Sequence, residues 1–294
     1  MSTHKRPSRS GFSLVEMLVV IAILGILAAL ILPAVWRAVV RARETRIILE
    51  VSQLDMALES YRQNRGAYPP GGFPGDDAAS LEIRSEQYRR HLRRAFPRHQ
   101  HDDSGDGAVT QLVAAGLTPA ESLVFWLAQV VNDPRRPLTS DGDRQVLFEF
   151  DDSRLRQTRV IELGERNDFP LFEYVPPGVD AAPYVYFPAP YAVVVNGSPV
   201  VNSHPEEISG WDVYPYRSNR GDLSDPTTIP LDEYWLNPTT FQLIAPGLDG
   251  EFGEDTVGEG LGFKVFPNGV NYTDGDWDNI ANFTDGRTFV DSLE

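Results

Sequence analysis

"RSGFSLVEMLVVIAILGILAALILPAVW", residues 9–36, is the stretch on which the reading of this chain turns. From Met17 to Trp36 no residue carries a charge. A helix needs about 20 apolar residues to cross the hydrocarbon core of a bilayer. One carboxylate, Glu16, stands at the mouth of the run, and one proline, Pro33, interrupts it. A secretory signal would have a shorter apolar core followed by a small-x-small cleavage site. Here the run continues into a periodic helix instead.

Ile47, Val51, Leu54, Leu58 and Tyr61 follow at spacings of four, three, four and three, with Arg46, Glu50, Gln53, Glu59 and Arg62 between them. That is one apolar stripe on an amphipathic helix. The pattern predicts a single helix from about Ser13 to about Gln63. "NRGAYPP", with Gly66, Pro69 and Pro70, stops it. The first half of such a helix suits lipid, and the second half suits a globular domain.

Glu16 has two readings on the residues alone. A carboxylate in a membrane helix costs about 2.5–3.5 kcal/mol at the centre and less near an end, so Glu16 at headgroup level is tolerable. Alternatively, a chain cut after Gly11 would begin at Phe12 with a free ammonium. Glu16 would then be its fifth residue, one helical turn from that charge. The carboxylate could pair with the amine of a neighbouring subunit and fix axial register.

"GFSLVEMLVVIAILGILAALILP" resembles the N-terminus of type IV pilins and of the pseudopilins of type II secretion systems. The resemblance lies in the basic leader (Lys5, Arg6, Arg9), Gly11, Phe12, Glu16, the apolar run and Pro33. It implies cleavage between Gly11 and Phe12 by a prepilin peptidase on the cytoplasmic face, and N-methylation of Phe12. It also implies that Glu16 recruits the subunit into a filament with itself and other pseudopilins, at an inner-membrane assembly platform. Near Pro33 the helix of such proteins loosens during assembly; a tolerated membrane-helix kink is the other reading. Arg37, Arg41 and Arg43 lie just beyond the run and weaken the positive-inside signal of the leader. The leader resemblance therefore sets the orientation: N-terminus in the cytoplasm, globular part in the periplasm.

The composition agrees with a folded part. The 294 residues are 41% hydrophobic and 11% aromatic, enough for a core. The net charge of −16 argues against nucleic acid as a partner. There is no cysteine, which excludes disulfides and thiolate metal sites. From Gly221 to Glu294 there are 15 Asp and Glu against only Lys264 and Arg287.

In the middle of the chain, "SLEIRSEQYRRHLRRAFPRH" reads as a helix ended by Pro97, with Leu81, Tyr88, Leu92 and Ala95 on one face. Its arginines form a solvated basic face, or meet the acidic C-terminal region of a neighbour. "LTPAESLVFWLAQVVND" starts with a capping box, Thr118 and Glu121, with Pro119 at the first helical position. Leu123, Val124, Trp126, Leu127, Val130 and Val131 are too many for one stripe, so this helix is read as buried. "VLFEF", "RVIEL", "PLFEYV" and "YVYF" read as strands, and "AVVVNGSPVV" as a hairpin around Asn196-Gly197.

No Gly-x-Ser-x-Gly, His-Glu-x-x-His or phosphate loop occurs. "HQHDDSGDG" offers His99, His101, Asp102 and Asp106, and with Ser104 and Gly107 starts like an EF-hand loop, but Val113 stands where the closing acid belongs. A solvated loop is the default reading there.

Near the C-terminus "TTFQLI" reads as a strand leading into Asp249, Glu251, Glu254 and Asp255, with Asp274, Asp276 and Asp278 later. Gathering such carboxylates requires a cation, and calcium takes oxygen ligands; an acidic loop is also often simply solvated. "GLDGEFG" followed by "DWDNIANF" is similar to the C-terminal calcium loop of major pseudopilins. That similarity implies Asp249, Asp276 and Asp278 as side-chain ligands, a carbonyl from Leu248, and Asp274 in reserve. The segment from about Glu254 to Tyr272 is longer than the family pattern, and Asn279 shifts the spacing.

These readings give an α+β fold of pilin-like form: a long N-terminal helix packed on a small antiparallel sheet, with a large inserted α/β region. The chain divides into a leader (1–11), a membrane and assembly half-helix (12–36), an amphipathic half-helix (37–70), inserted helices, strands and loops (71–235), and a C-terminal strand with an acidic loop (236–294). The expected function is a non-enzymatic, major-type subunit of a type II secretion filament. A type IV pilin or competence subunit is the near rival. A membrane-tethered binding module or enzyme, its function housed in the middle region, is the rival of another class.

Overall fold

The computed structural model describes residues 13–72, 78–99, 107–139, 142–162, 168–178, 182–189, 192–195, 198–201, 213–218, 235–254, 256 and 263–293. The leader, Gly11, Phe12, His101, Asp102, Ser104, Asp106, the Asn196-Gly197 turn and Asp255 lie outside them. The chain forms two compact units, residues 1–43 and 44–294. Helix α1, Leu14–Arg65, runs through both and continues through Pro33. Its bounds lie within two residues of those expected from the apolar run, the stripe and the Gly66 stop.

In the first unit, α1 exposes its apolar side chains on all sides: Leu18, Ile21, Leu24, Leu27, Ile31 and Val35 are each roughly half-exposed or more. A helix hydrophobic all round requires an apolar environment. This one is long and apolar enough to cross a membrane.

In the second unit, the same helix becomes one-sided. Ile47, Val51, Leu54, Leu58 and Tyr61 are buried, with Ala57 added to the stripe. They pack into a core that also contains Tyr88 and Leu92 of helix α2 (Ala78–Ala95), Leu112 of α3 (Ala108–Ala115) and Leu123 of α4 (Pro119–Val124). α4 starts with the expected capping box: Thr118 Oγ1 accepts from Glu121 N at 3.1 Å, and Glu121 Oε2 accepts from Thr118 N at 3.0 Å. A π-helical turn, Phe125–Gln129, extends it. All six apolar residues read as too many for one stripe are buried.

Strands β1 (Leu155–Glu162) and β2 (Asp168–Tyr174) form an antiparallel hairpin. The three-stranded antiparallel sheet is built from β3 (Val185–Pro188), β7 (Phe241–Ala245) and β9 (Ile280–Ala281), with β7 in the centre. Strands β4 (Ala192–Val195) and β5 (Ser198–Val201) pair as the predicted hairpin, and β6 (Arg217–Ser218) pairs in parallel with β8 (Val265–Phe266). Side chains alternate between faces of a strand. Accordingly Tyr186, Phe241 and Leu243 join the core containing α1, whereas Val185, Phe187 and Ile244 join a second cluster with Tyr216, Phe252 and Phe289. β7 is buried throughout because apolar groups cover both of its faces.

Two expectations are corrected. "VLFEF" forms no strand: Val146 is exposed, and Phe148 and Phe150 pack edge-to-face against each other and against the Tyr174 ring. The alternating pattern is present there, but β1 and β2 satisfy each other, so aromatic packing fixes the segment. The arginines of α2 are not uniformly solvated either. Arg93 is exposed and pairs with Glu86 at 3.4 Å, but Arg84 is buried, its guanidinium lying against Gly116, where an added Cβ would stand 2.3 Å from Nη1.

Candidate functional site: the apolar helix and the C-terminal acidic loop

The described N-terminal segment starts with Ser13 and Glu16. Ser13 N donates to Glu16 Oε2 at 2.9 Å, and Ser13 Oγ accepts from Val15 N at 3.3 Å. The first turn of any helix leaves backbone N–H groups without intrahelical partners, and here two side chains take two of them. Ser-x-x-Glu ahead of an apolar run is a capping signature, a signal in the sequence that the reading of Glu16 as an intersubunit partner passed over.

At the other end of the chain the acidic loop divides into two sets of contacts. In one, Asp278 Oδ2 accepts from Leu248 N at 2.6 Å and Asp249 N at 3.2 Å, and Asp249 Oδ1 accepts from Glu251 N at 2.9 Å. Leu248 therefore contributes its N–H to Asp278. Asp278 approaches so closely that a Cβ on Gly247 would lie 2.0 Å from its carboxyl carbon. Burial raises the pKa of both Asp249 and Asp278, and the charge of Asp249 adds to the rise at Asp278.

In the other set, Asp276 is fully buried on a 3-10 turn, Asp274–Asp276. Its Oδ1 accepts from Lys264 Nζ at 2.7 Å and from the Tyr216 hydroxyl at 2.5 Å. Its Oδ2 accepts from Thr273 N at 2.7 Å and Thr273 Oγ1 at 2.9 Å. Burial and the Asp276 charge hold the Tyr216 phenol far above its usual pKa, so it remains a donor. Lys264 Nζ also donates to Phe252 O at 2.9 Å. Asn279 is buried and donates Nδ2 to the Tyr216 hydroxyl at 3.2 Å. Asp274, the reserve ligand, is exposed.

Asp249, Asp276 and Asp278 thus do not converge. Among the described residues no group of three or more His, Asp or Glu is placed to hold a metal ion.

One network was missed entirely. Glu50 lies on the flank of the α1 stripe, where its Oε2 accepts from Arg154 Nη1 at 2.7 Å and the Tyr184 hydroxyl at 2.6 Å, and its Oε1 from the Tyr174 hydroxyl at 2.8 Å. It ties α1 to β2 and to the segments preceding β1 and β3. The partners lie more than a hundred positions away in the chain, so no local pattern could show them.

An exposed apolar helix with a capped start, whose second half joins the core of an α+β domain, is the arrangement expected of a pilin-like, membrane-anchored chain. The particulars come from similarity to known proteins. Residues 6–32 match the family model described as the prokaryotic N-terminal methylation motif. The chain is 37% identical over 78 residues to a fimbrial protein of Neisseria meningitidis serogroup B, covering 26% of this chain and 46% of that one. It is 40% identical over 65 residues to type II secretion system core protein G of Pseudomonas aeruginosa, covering 22% and 46%. The corresponding protein of Klebsiella michiganensis is 35% identical over 65 residues, with the same coverage. The chain thus spans about half the length of these relatives. No solved structure matches it.

Proposed function

We propose that this chain is a structural subunit of a type II secretion filament. A prepilin peptidase cuts it between Gly11 and Phe12, Phe12 is N-methylated, and the subunit waits in the inner membrane with its globular part in the periplasm. It then joins itself and other pseudopilins through α1 at an inner-membrane platform. The carrying observation is the methylation motif at residues 6–32 running directly into an exposed apolar helix that begins just after Phe12. The work is mechanical: adding subunits lengthens the filament, and the apolar half of α1 exchanges lipid for neighbouring helices. Similarity to core protein G of two organisms supports secretion.

A second reading, a type IV pilin subunit, is favoured by the longer stretch shared with the Neisseria fimbrial protein. Deleting the chain in its host separates the two. Loss of exported proteins from the medium with surface pili intact is the expected result; loss of pili with export intact would replace secretion by the pilus reading. The mass of the N-terminal peptide from native membranes tests processing itself: it should start at methylated Phe12, and a chain still starting at Met1 would overturn the assembly reading.

A further inference from the structure

We propose that the Lys264 ammonium fills the place that calcium holds in the loops this C-terminus resembles, so that the acidic loop of this chain is held by an internal cation and folds without a metal. Four donors reach Asp276: Lys264 Nζ, the Tyr216 hydroxyl, Thr273 N and Thr273 Oγ1. A carboxylate offers about four lone-pair sites, so Asp276 has none left for a metal. Calcium would draw on carboxylates and backbone carbonyls together. Lys264 Nζ does the same, bonding the Asp276 carboxylate and the Phe252 carbonyl. It thereby joins the two halves of the loop, one following β7 and the other preceding β9.

The origin of Lys264 strengthens the argument. It lies inside the segment of about Glu254 to Tyr272 that exceeds the family pattern, and it is one of only two basic residues from Gly221 to the end. The added segment brings its own cation, buried with 8% of its surface exposed against a fully buried carboxylate. Gly253 packs directly on the Asp276 carboxylate. Gly253 has φ +78°, and a Cβ there would stand 2.3 Å from both Asp276 Oδ2 and Thr273 Oγ1. Asn279, directly after Asp278, is a neutral amide bonded to Tyr216 rather than a further carboxylate. The proposal holds whichever filament the chain builds.

The test uses the full chain in detergent micelles. A ligand that binds only the folded state raises its melting temperature by mass action. Wild-type protein should melt at the same temperature in millimolar calcium and in chelator; a rise of several degrees with calcium would overturn the proposal. Terbium, a luminescent calcium probe, should give no saturable emission through the adjacent Trp277, and saturable emission displaced by calcium would also overturn it. Lys264→Met should melt well below wild type in both buffers or fail to fold, and unchanged melting would remove the role of the ammonium. The wild-type measurements decide the metal question even if that variant does not accumulate.

Discussion

Glu16 accepts the backbone N–H of Ser13 at 2.9 Å on Oε2, so the carboxylate that resembles an intersubunit hook also closes its own helix. After cleavage behind Gly11, Ser13 would be the second residue, and capping and intersubunit pairing would draw on the same oxygen atoms. Glu16→Gln separates them, because an amide oxygen still accepts the Ser13 N–H but carries no charge for an ammonium. Both Glu16→Ala and Glu16→Gln are expected to be processed normally and to stay out of filaments, measured by shearing and sedimentation. Normal incorporation of Glu16→Gln would mean that capping alone is required.

Glu50 and Arg154 form one polar tie between α1 and the rest of the globular unit, with 12% and 19% of their side chains exposed. Removing one partner of a buried pair leaves the other uncompensated, at about 3–5 kcal/mol. Two tyrosine hydroxyls also lose their acceptor. Glu50→Ala should therefore destabilise the globular unit by about 3 kcal/mol in urea unfolding. A loss under about 1 kcal/mol, the value of an exposed pair, would show that water reaches this site freely.

The sequence was most legible where periodicity is long. Helix α1 carries two successive patterns, apolar all round and then a single stripe, and both its ends and its buried residues follow from them. Thr118 and Glu121 were legible because a capping box spans only four residues. The acidic loop was legible only as a composition. Which carboxylates meet depends on β7 and β9 being adjacent and on where Lys264 is delivered, and neither is local information. "VLFEF" misled because alternation specifies an amphipathic strand but not the presence of a neighbour to pair with.

His91 gives the pH dependence. It is buried, with Nε2 2.7 Å from the Tyr61 hydroxyl, and burial plus the positive charges of Arg65 and Arg94 pull its pKa from 6.5 to about 3. The folded state therefore keeps this imidazole neutral, while the unfolded chain takes up a proton below pH 6.5. Stability rises with pH wherever the unfolded state binds more protons. The contribution of His91 should thus fall as pH drops from 6.5 toward 3, by up to about 1.4 kcal/mol per unit. Asp249, Asp278 and Glu173, whose pKa values are raised, change in the opposite sense. Comparing urea unfolding of wild type and His91→Gln between pH 7 and pH 5 isolates the histidine. Wild type should lose stability across that interval, and His91→Gln should lose much less; equal slopes would place the dependence elsewhere.

Glu121 serves two structures at once, and its replacement should cost more than that of its capping partner. Thr118 supplies one side-chain acceptor to the start of α4, and Thr118→Ala should cost about 1 kcal/mol, the usual value of an N-cap. Glu121 is 1% exposed; it returns the cap to Thr118 N and also accepts from Arg159 Nη2 at 2.8 Å and the Thr158 hydroxyl at 2.5 Å on β1. Glu121→Ala therefore removes one half of the capping box and takes an acceptor from both Arg159 and Thr158, which keep the Ala115, Gly116 and Leu171 carbonyls, so about 2 kcal/mol or more is expected. Residues in one network are non-additive. The double variant Thr118→Ala, Glu121→Ala should be no less stable than Glu121→Ala alone by more than a few tenths of a kcal/mol, because the Thr118 acceptor lies at one end of a cap already half removed. Full additivity in urea unfolding would show that the two bonds of the capping box act independently.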